Sequence, residues 1–257
     1  MLTTQYVSGA PNWIDLGSPD VEASASFYRG VFGWDFQSGG PEAGGYGFFQ
    51  KNGQTVAALG PLTEEGSDSS WIVYFHTPDA DATAKAVEQA GGTVRAAPFD
   101  VFEHGRMAQF TDPAGARFAV WQSYSMKGLD LVTEPGSLGW VELYVPAPDA
   151  VRPFYTSVFG WRIEDKPFGD GNHYTMVSPA EGKGDDASMA GIVPLQGGTP
   201  HWLPYFEVAD CDAAVSKAQE LGGAVTMPAV DAEGVGRFAA LTDPYGARFA
   251  VITSVAG

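Results

Sequence analysis

The chain has 257 residues, which is long enough for two globular domains. Its hydrophobic content of 44% excludes a disordered chain. Its formal net charge of −17 repels phosphate groups, so we expect no nucleic-acid binding and no attraction to an anionic membrane. The same charge leaves open a field that concentrates cationic small molecules. A single cysteine, no basic leader and no apolar run of bilayer length together predict a soluble cytoplasmic protein.

The first half of the chain predicts a unit of one strand, one helix and three strands. The same unit is predicted a second time within that half. In the first strand, Pro11–Gly17, alternation places Trp13 and Asp15 on one face. A cap at Asp20 begins the first helix, and Gly33 ends it in the left-handed conformation. The remaining predicted strands and helix are 34–36, 46–51, 55–59, 71–76, 79–90 (the helix), 93–97, 106–111 and 117–122.

The segment 27–34, Phe-Tyr-Arg-Gly-Val-Phe-Gly-Trp, returns 127 residues later as 154–161, Phe-Tyr-Thr-Ser-Val-Phe-Gly-Trp. The Thr-Asp-Pro-Ala-Gly turn at 111–115 likewise returns as Thr-Asp-Pro-Tyr-Gly at 242–246, with an offset of 131. The second copy is therefore four residues longer, and an enlarged loop at 181–186 accounts for the difference. This repeat predicts a first domain over 1–124, a linker over 125–136 and a second domain over 137–257.

Both copies resemble the vicinal oxygen chelate superfamily, which includes glyoxalase I, bleomycin-resistance proteins and extradiol dioxygenases. The resemblance rests on the helix end at 27–34, on the turn at 111–115 and on the strand before Ser18-Pro19-Asp20. It implies an α+β fold of two tandem domains, each a pair of βαβββ units whose curled mixed sheets surround a cavity. The tandem layout is similar to that of bacterial members described as glyoxalase-like or hydroxylase-like.

The resemblance implies a metal site, and the ligand positions of that site can be located in this chain. The family places a His or Gln on the first strand, a second ligand at the start of the fifth strand and a Glu seven residues after the turn Asp. The six corresponding positions of this chain hold tryptophan or alanine, and neither an indole nor a methyl group ligates a divalent ion. The sequence therefore predicts no metal and no other cofactor. The six corresponding positions are Trp13, Trp140, Trp71, Trp202, Ala119 and Ala250.

The tryptophans at these positions predict an aromatic pocket for a planar or apolar organic ligand. An alternative is that they fill the vacated space as hydrophobic core. By strand alternation, the face of the fifth strand that carries Trp71 also carries Phe75. The predicted pocket residues are Trp13, Trp71, Phe75, Trp121, Trp140, Tyr144 and Trp202.

Two matched carboxylates, Asp15 and Glu142, share a face with these tryptophans and are the candidate general acid or base. The alternative is that each forms a buried ion pair, and the repeat makes Arg106 and Arg237 the natural partners. Both arginines are also candidates for binding the substrate. His104 occurs in the first copy only and is a third candidate for the catalytic group.

The sequence leaves three functions open. The first is a glyoxalase-like enzyme that binds a small organic molecule and transforms it by acid–base chemistry of the hydratase, hydroxylase or lyase kind, without a metal. The second is a protein of the bleomycin-resistance kind that binds a drug or metabolite. The third is a metal-dependent glyoxalase or dioxygenase. A small organic ligand is the expected partner, and covalently paired domains are consistent with a monomer.

Overall fold

In the computed structural model, residues 2–64, 66–168, 172–181 and 187–255 are described. Most of the loop predicted at 181–186 therefore lies outside the described residues. The first half of the chain forms β1 Pro11–Ser18, α1 Val21–Phe32, β2 Asp35–Ser38, β3 Gly47–Lys51, β4 Gln54–Pro61, β5 Ser70–His76, α2 Ala80–Gln89, β6 Thr93–Val101, β7 Gly105–Thr111 and β8 Arg117–Ser123. The second half forms β9 Leu138–Val145, α3 Pro148–Phe159, β10 Arg162–Phe168, β11 Asn172–Ser178, β12 Ala190–Pro194, β13 His201–Glu207, α4 Cys211–Glu220, β14 Ala224–Ala232, β15 Gly236–Thr242 and β16 Arg248–Ser254.

The strands form two mixed sheets of eight strands, one from each copy of the repeat. Their strand orders are β2-β3-β4-β1-β5-β8-β7-β6 and β10-β11-β12-β9-β13-β16-β15-β14. In each sheet the first strand pairs in parallel with the fourth, and the fifth with the eighth. Both sheets end in edge strands and so stay open. Two mixed sheets with their helices, one sheet from each copy, confirm the predicted α+β class with two tandem domains.

The predicted helix signals are the ones that the structure uses. The Asp20 carboxylate accepts a hydrogen bond from the backbone N–H of Ala23 and so caps the start of α1. Gly33 ends the helix with φ 72°, and its N–H bonds the carbonyl of Arg29. Gly160 ends α3 in the same conformation, with φ 68°. None of the helices in the described part of the chain is long and apolar enough to cross a lipid bilayer.

The Cα positions group into two compact units, and each of them takes segments from both copies of the repeat. The domain boundaries at 124 and 137 thus stay a prediction drawn from the repeat. The first compact unit comprises Met1–Trp13, Ile72–Gly128 and Trp140–Trp202, and the second comprises Ile14–Trp71, Leu129–Gly139 and Leu203–Gly257.

In the second compact unit, α1 packs against α4 at a glycine, whose missing side chain allows a close approach. A Cβ added to Gly30 would lie 2.4 Å from the Cδ1 atom of Leu221. In the first compact unit, Gly92 follows the end of α2 and lies beside α3, since a Cβ on Gly92 would lie 2.8 Å from the ring of Phe154. Helices from the two halves of the chain therefore share one apolar layer inside each unit.

A buried tyrosine from the repeated helix motif is central to the second compact unit. The Tyr28 ring is fully buried and makes edge-to-face contact with Trp71, with ring centroids 5.3 Å apart. Its hydroxyl accepts a hydrogen bond from the Trp71 indole N–H at 3.0 Å and donates one to the Asp243 carboxylate at 3.2 Å. The helix motif and the Asp-Pro turn are thus joined by one phenol group.

The first compact unit contains the matching arrangement around Tyr155. Its hydroxyl accepts from the Trp202 indole N–H at 3.2 Å and donates to the Asp112 carboxylate at 2.9 Å. The other carboxylate oxygen of Asp112 accepts from the backbone N–H groups of Ala114 and Ala116, which closes the turn. Each partner of the phenol is buried, so the loss of the hydroxyl would leave a polar group without its hydrogen bond.

We expect Tyr155→Phe to lower the free energy of unfolding by roughly 3 kcal/mol, because the Trp202 indole and the Asp112 carboxylate each lose a buried partner. Urea unfolding followed by circular dichroism measures the change. Tyr124→Phe is the matched control, because its half-exposed hydroxyl also bonds an aspartate, and we expect it to change stability by less than about 0.5 kcal/mol. Equal effects of the two substitutions would contradict this role of Tyr155.

Candidate functional site

A carboxylate held by two phenols lies on β9 of the second repeat. Glu142 is 8% exposed. Its Oε1 atom accepts a hydrogen bond from the Tyr174 hydroxyl at 2.5 Å, and its Oε2 atom accepts one from the Tyr144 hydroxyl at 2.9 Å. Since a phenol donates to each oxygen, the carboxylate is fixed in position although it lies close to the surface.

An indole and an imidazole extend this hydrogen-bonded group. The half-buried Trp140 donates from its indole N–H to the Tyr174 hydroxyl at 3.0 Å. The His201 ring stacks on Tyr144, with ring centroids 5.3 Å apart and planes within 6° of parallel. The Nδ1 atom of His201 lies 2.8 Å from the carbonyl oxygen of Thr199. A carbonyl only accepts, so Nδ1 carries the proton and Nε2 is the basic nitrogen of the neutral ring.

Strand alternation brings these groups to one side of the sheet, which we call the carboxylate face: the face of β9 that carries Trp140, Glu142 and Tyr144. The intervening Val141 and Leu143 are fully buried on the opposite face.

A glycine on the neighbouring strand makes room for one of the phenols. Gly191 on β12 is the register partner of Glu142, and a Cβ at this position would lie 1.8 Å from the Tyr174 hydroxyl oxygen. The absence of a side chain at Gly191 therefore lets the phenol lie over the strand and reach the carboxylate.

The electrostatics of the face keep Tyr174 as a neutral hydrogen-bond donor. Burial raises the pKa of Tyr174 well above its ordinary value, and the neighbouring negative charge of Glu142 raises it further. The hydroxyl thus stays protonated at neutral pH and donates rather than accepts a proton.

The predicted pocket residues of the fifth strand occupy the other face, so that prediction is wrong for Trp71, Phe75 and Trp202. Trp71 and Trp202 donate to the buried hydroxyls of Tyr28 and Tyr155, as described above. Phe75 lies 5.0 Å from the Trp202 ring, centroid to centroid, within the same aromatic layer. The error is one of parity: a tryptophan suits a pocket wall and a helix-facing core equally well, and the core uses these three.

Correcting the parity brings His201 onto the carboxylate face. It directly precedes Trp202 in β13, so its side chain points to the side opposite the tryptophan, where it stacks on Tyr144. The sequence had singled out His104 instead. His104 lies at the exposed hairpin between β6 and β7, where its Nδ1 atom is 3.3 Å from the Ser125 hydroxyl.

The predicted buried ion pairs with Arg106 and Arg237 are also wrong. Both arginines instead bind carboxylates that are more than half exposed, in two matched surface clusters. The partners of Arg106 are Asp81 and Asp100, and those of Arg237 are Asp212 and Asp231. The Asp15 carboxylate, which was predicted to pair with Arg106, accepts a hydrogen bond from the Tyr46 hydroxyl at 3.2 Å.

Two further predicted pocket residues are nearly inaccessible to solvent. Trp13 is 5% exposed and Trp121 is 6% exposed. The indole N–H of Trp121 donates to the carbonyl of Met126 at 2.8 Å, so its polar atom is satisfied inside the protein. Trp140 and Tyr144 are the members of the predicted pocket that are half-exposed and adjoin a carboxylate.

Tyr174 and Tyr46, the phenols that bind Glu142 and Asp15, were missed by the sequence reasoning. They occupy matching places in the two copies: Tyr46 directly precedes β3, and Tyr174 lies near the start of β11. A tyrosine in each copy at that place was a usable signal. The pairing of β11 with β12 and β9, which brings Tyr174 to Glu142, depends on distant segments and is not visible from local spacing.

Comparisons with known proteins decide the family. The family model "Glyoxalase/Bleomycin resistance protein/Dioxygenase superfamily" matches residues 10–120 and 137–251, which is most of both copies. The chain belongs to this superfamily. It is 43% identical over 267 aligned positions to the "Anthracycline biosynthesis protein DnrV" of Streptomyces peucetius, covering 97% of this chain and 94% of that protein.

Solved structures of the superfamily share the fold at low sequence identity. The 2,3-dioxygenase LapB from Pseudomonas sp. KL28 matches with a TM-score of 0.65 and 16% identity, covering 97% of this chain and 94% of LapB. The Mn(II)-bound glyoxalase from Novosphingobium aromaticivorans matches with a TM-score of 0.62 and 19% identity, covering 97% and 85%. At these identities the likeness concerns the fold alone.

The prediction that no cofactor takes part is contradicted by these neighbours, because a Mn(II)-bound member shows that the superfamily points to a metal cofactor. The side chains of the carboxylate face do not form a complete site for one. Glu142 and His201 can ligate a metal, but within the described residues no group of three or more His, Cys, Asp or Glu side chains is placed to hold an ion. The raised pKa of Tyr174 keeps this phenol protonated, which makes it a poor ligand.

We expect Glu142→Gln to lower the pKa of Tyr174, because it removes the neighbouring negative charge. The pKa should stay above the ordinary tyrosine value, since burial is the larger cause of the shift. Alkaline titration of the tyrosinate absorbance measures this, with Tyr174→Phe in each background to isolate one phenol among ten tyrosines. Glu220→Gln, a change of an exposed helical glutamate, is the control. A titration of Tyr174 that is the same with and without Glu142 would contradict the assignment.

Proposed function

We propose that the protein binds a planar aromatic small molecule at the carboxylate face of the second repeat and transforms it by acid–base chemistry. The observation that carries this proposal is the Glu142 carboxylate held by two phenols beside the half-buried indole of Trp140. A carboxylate on a largely apolar wall is suited to take a proton from a bound ligand and to return it.

The phenols give this carboxylate a mechanism for handling the developing charge. When Glu142 takes a proton from a ligand, it loses its negative charge and needs its two donors less. The hydroxyls of Tyr144 and Tyr174 are then able to turn toward an oxygen of the ligand that has become negative. The N–H of Trp140 keeps the hydroxyl of Tyr174 oriented during this exchange.

The ligand class follows from the side chains and from the relatives. The flat rings of Trp140, Tyr144 and His201 provide stacking surfaces, which suit a polycyclic aromatic compound. A relative with 43% identity is named for anthracycline biosynthesis, and this supports a compound of the anthracycline kind. The net charge of −17 adds a preference for ligands that carry an amino group.

Two other functions remain as alternatives. Binding without reaction, in the manner of bleomycin-resistance proteins, is supported by the family match and by the same aromatic side chains. A metal-dependent glyoxalase or dioxygenase reaction is supported by the Mn(II)-bound neighbour. The binding alternative is distinguished from the proposal by the absence of turnover, and the metal-dependent alternative by turnover that does not need Glu142.

The test uses quinizarin, a dihydroxyanthraquinone, together with a panel of related hydroxyanthraquinones whose products are followed by mass spectrometry. We expect Glu142→Gln to reduce turnover at least about a hundredfold, because it removes the proton acceptor. Affinity for quinizarin should fall by about tenfold, as is typical when a hydrogen bond to a charged group is lost. Unsubstituted anthraquinone, which has no donor for the carboxylate, should bind equally to both proteins.

Glu220→Gln again serves as the control, and it should leave turnover and affinity unchanged. Each assay is run on chelator-treated protein and on protein supplied with Mn(II). Full turnover by Glu142→Gln would contradict the acid–base role. Binding without any turnover, under either metal condition, would favour the drug-binding alternative. Turnover with Mn(II) that survives Glu142→Gln would favour the metal-dependent one.

A further inference from the structure

The first repeat contains a carboxylate–phenol pair of its own. Asp15 precedes Glu142 by 127 residues, the same offset that relates the repeated helix motifs. The Tyr46 hydroxyl donates to the Asp15 carboxylate at 3.2 Å, as Tyr174 does to Glu142. Both carboxylates lie on the first strand of their repeat and pair in parallel with the fourth. The arrangement has therefore been kept in both copies, although one carboxylate is an aspartate and the other a glutamate.

An aromatic surface lies beside this pair. Phe48 and Asp15 both have Ala58 as their register partner, so the three form one row across β3, β4 and β1. The rings of Phe48 and Tyr46 meet edge to face with centroids 6.0 Å apart, and both side chains are half-buried. A planar molecule placed against these rings would reach the Asp15 carboxylate with one hydroxyl or amino group.

Two glycines lie next to the aromatic surface. Gly17 and Gly60 are register partners on β1 and β4. A Cβ at Gly60 would lie 2.7 Å from the Tyr46 ring, so the absence of a side chain at Gly60 makes room for this ring. This part of the first repeat thus offers one carboxylate, one hydroxyl and two half-buried aromatic rings.

The groups that distinguish the second repeat are missing from the first. Gly17 stands where the second repeat has Tyr144, and Ser70 stands where it has His201. At these two matching positions, the first repeat therefore has neither a phenol nor an imidazole. By the reasoning applied to the second repeat, it is equipped to hold a ligand donor but has fewer groups to move a proton.

We propose that the first repeat is a second binding site, built on Asp15, Tyr46 and Phe48, for the same class of planar hydroxylated aromatic compound. It binds the compound and leaves it chemically unchanged. The inference rests on the proposed function for the choice of ligand class. The two repeats then divide the work, with the second repeat responsible for the chemistry and the first for holding a further ligand molecule.

The test measures how many quinizarin molecules bind to the full-length chain by isothermal titration calorimetry. Wild-type protein should bind about two molecules per chain. Asp15→Asn should weaken one of the two sites by about tenfold, as expected for a lost hydrogen bond to a charged group. Phe48→Met, which introduces the residue found at the matching place of the second repeat, should weaken the same site.

The outcomes separate this inference from the proposed function. One quinizarin per chain, with Asp15→Asn and Phe48→Met both without effect, would overturn the second site and leave the proposed function intact. Two sites of which neither responds to Asp15→Asn or Phe48→Met would overturn it as well. An Asp15→Asn protein that loses turnover would show that the first repeat is not a binding-only site. Failure of the proposed function has a different signature, namely no effect of Glu142→Gln. Unchanged urea unfolding of both first-repeat variants confirms that the comparison concerns binding and not folding.

Discussion

The buried phenol at the centre of each compact unit is the constraint on which the rest of the structure depends. The hydroxyl of Tyr155 accepts from one indole and donates to one carboxylate, with no solvent available to replace either bond. Because Trp202 must present its indole N–H to this hydroxyl, the face of β13 that turns to the helices is fixed. The neighbouring His201 then has to emerge on the other side, next to Tyr144. The core network thus decides which residues are available for chemistry.

The duplication places two similar carboxylate–phenol pairs in different surroundings. Gly191 and Ala58 are the register partners of Glu142 and Asp15, and the glycine lets its phenol lie directly over the strand. The contact between phenol and carboxylate is 2.5 Å in the second repeat and 3.2 Å in the first. The second repeat also has the longer carboxylate and lacks the methyl group of Ala58 at the matching place.

Much of the fold could be predicted from the sequence because its signals are local. Asp20 and Gly33 mark the two ends of α1, and the repeated motif gives the two tandem domains. The face of the fifth strand could not be predicted, since Trp71 suits a helix-facing core as well as a pocket wall. The composition of the compact units was also out of reach. The two copies of each motif are nearly alike. Nothing local therefore shows that Tyr28 bonds the Asp-Pro turn of the second copy and Tyr155 the turn of the first.

The candidate site could be predicted only in part, for a related reason. Trp140, Glu142 and Tyr144 follow from the alternation of a single strand. Tyr174 and His201 reach the same face only through the pairing of distant strands, and they complete the group for which we propose acid–base chemistry. The most direct test is a crystal structure with bound quinizarin. We expect a quinizarin hydroxyl within hydrogen-bonding distance of Glu142 and its ring against Trp140. Quinizarin bound elsewhere, with Glu142 still holding both phenols, would contradict the account.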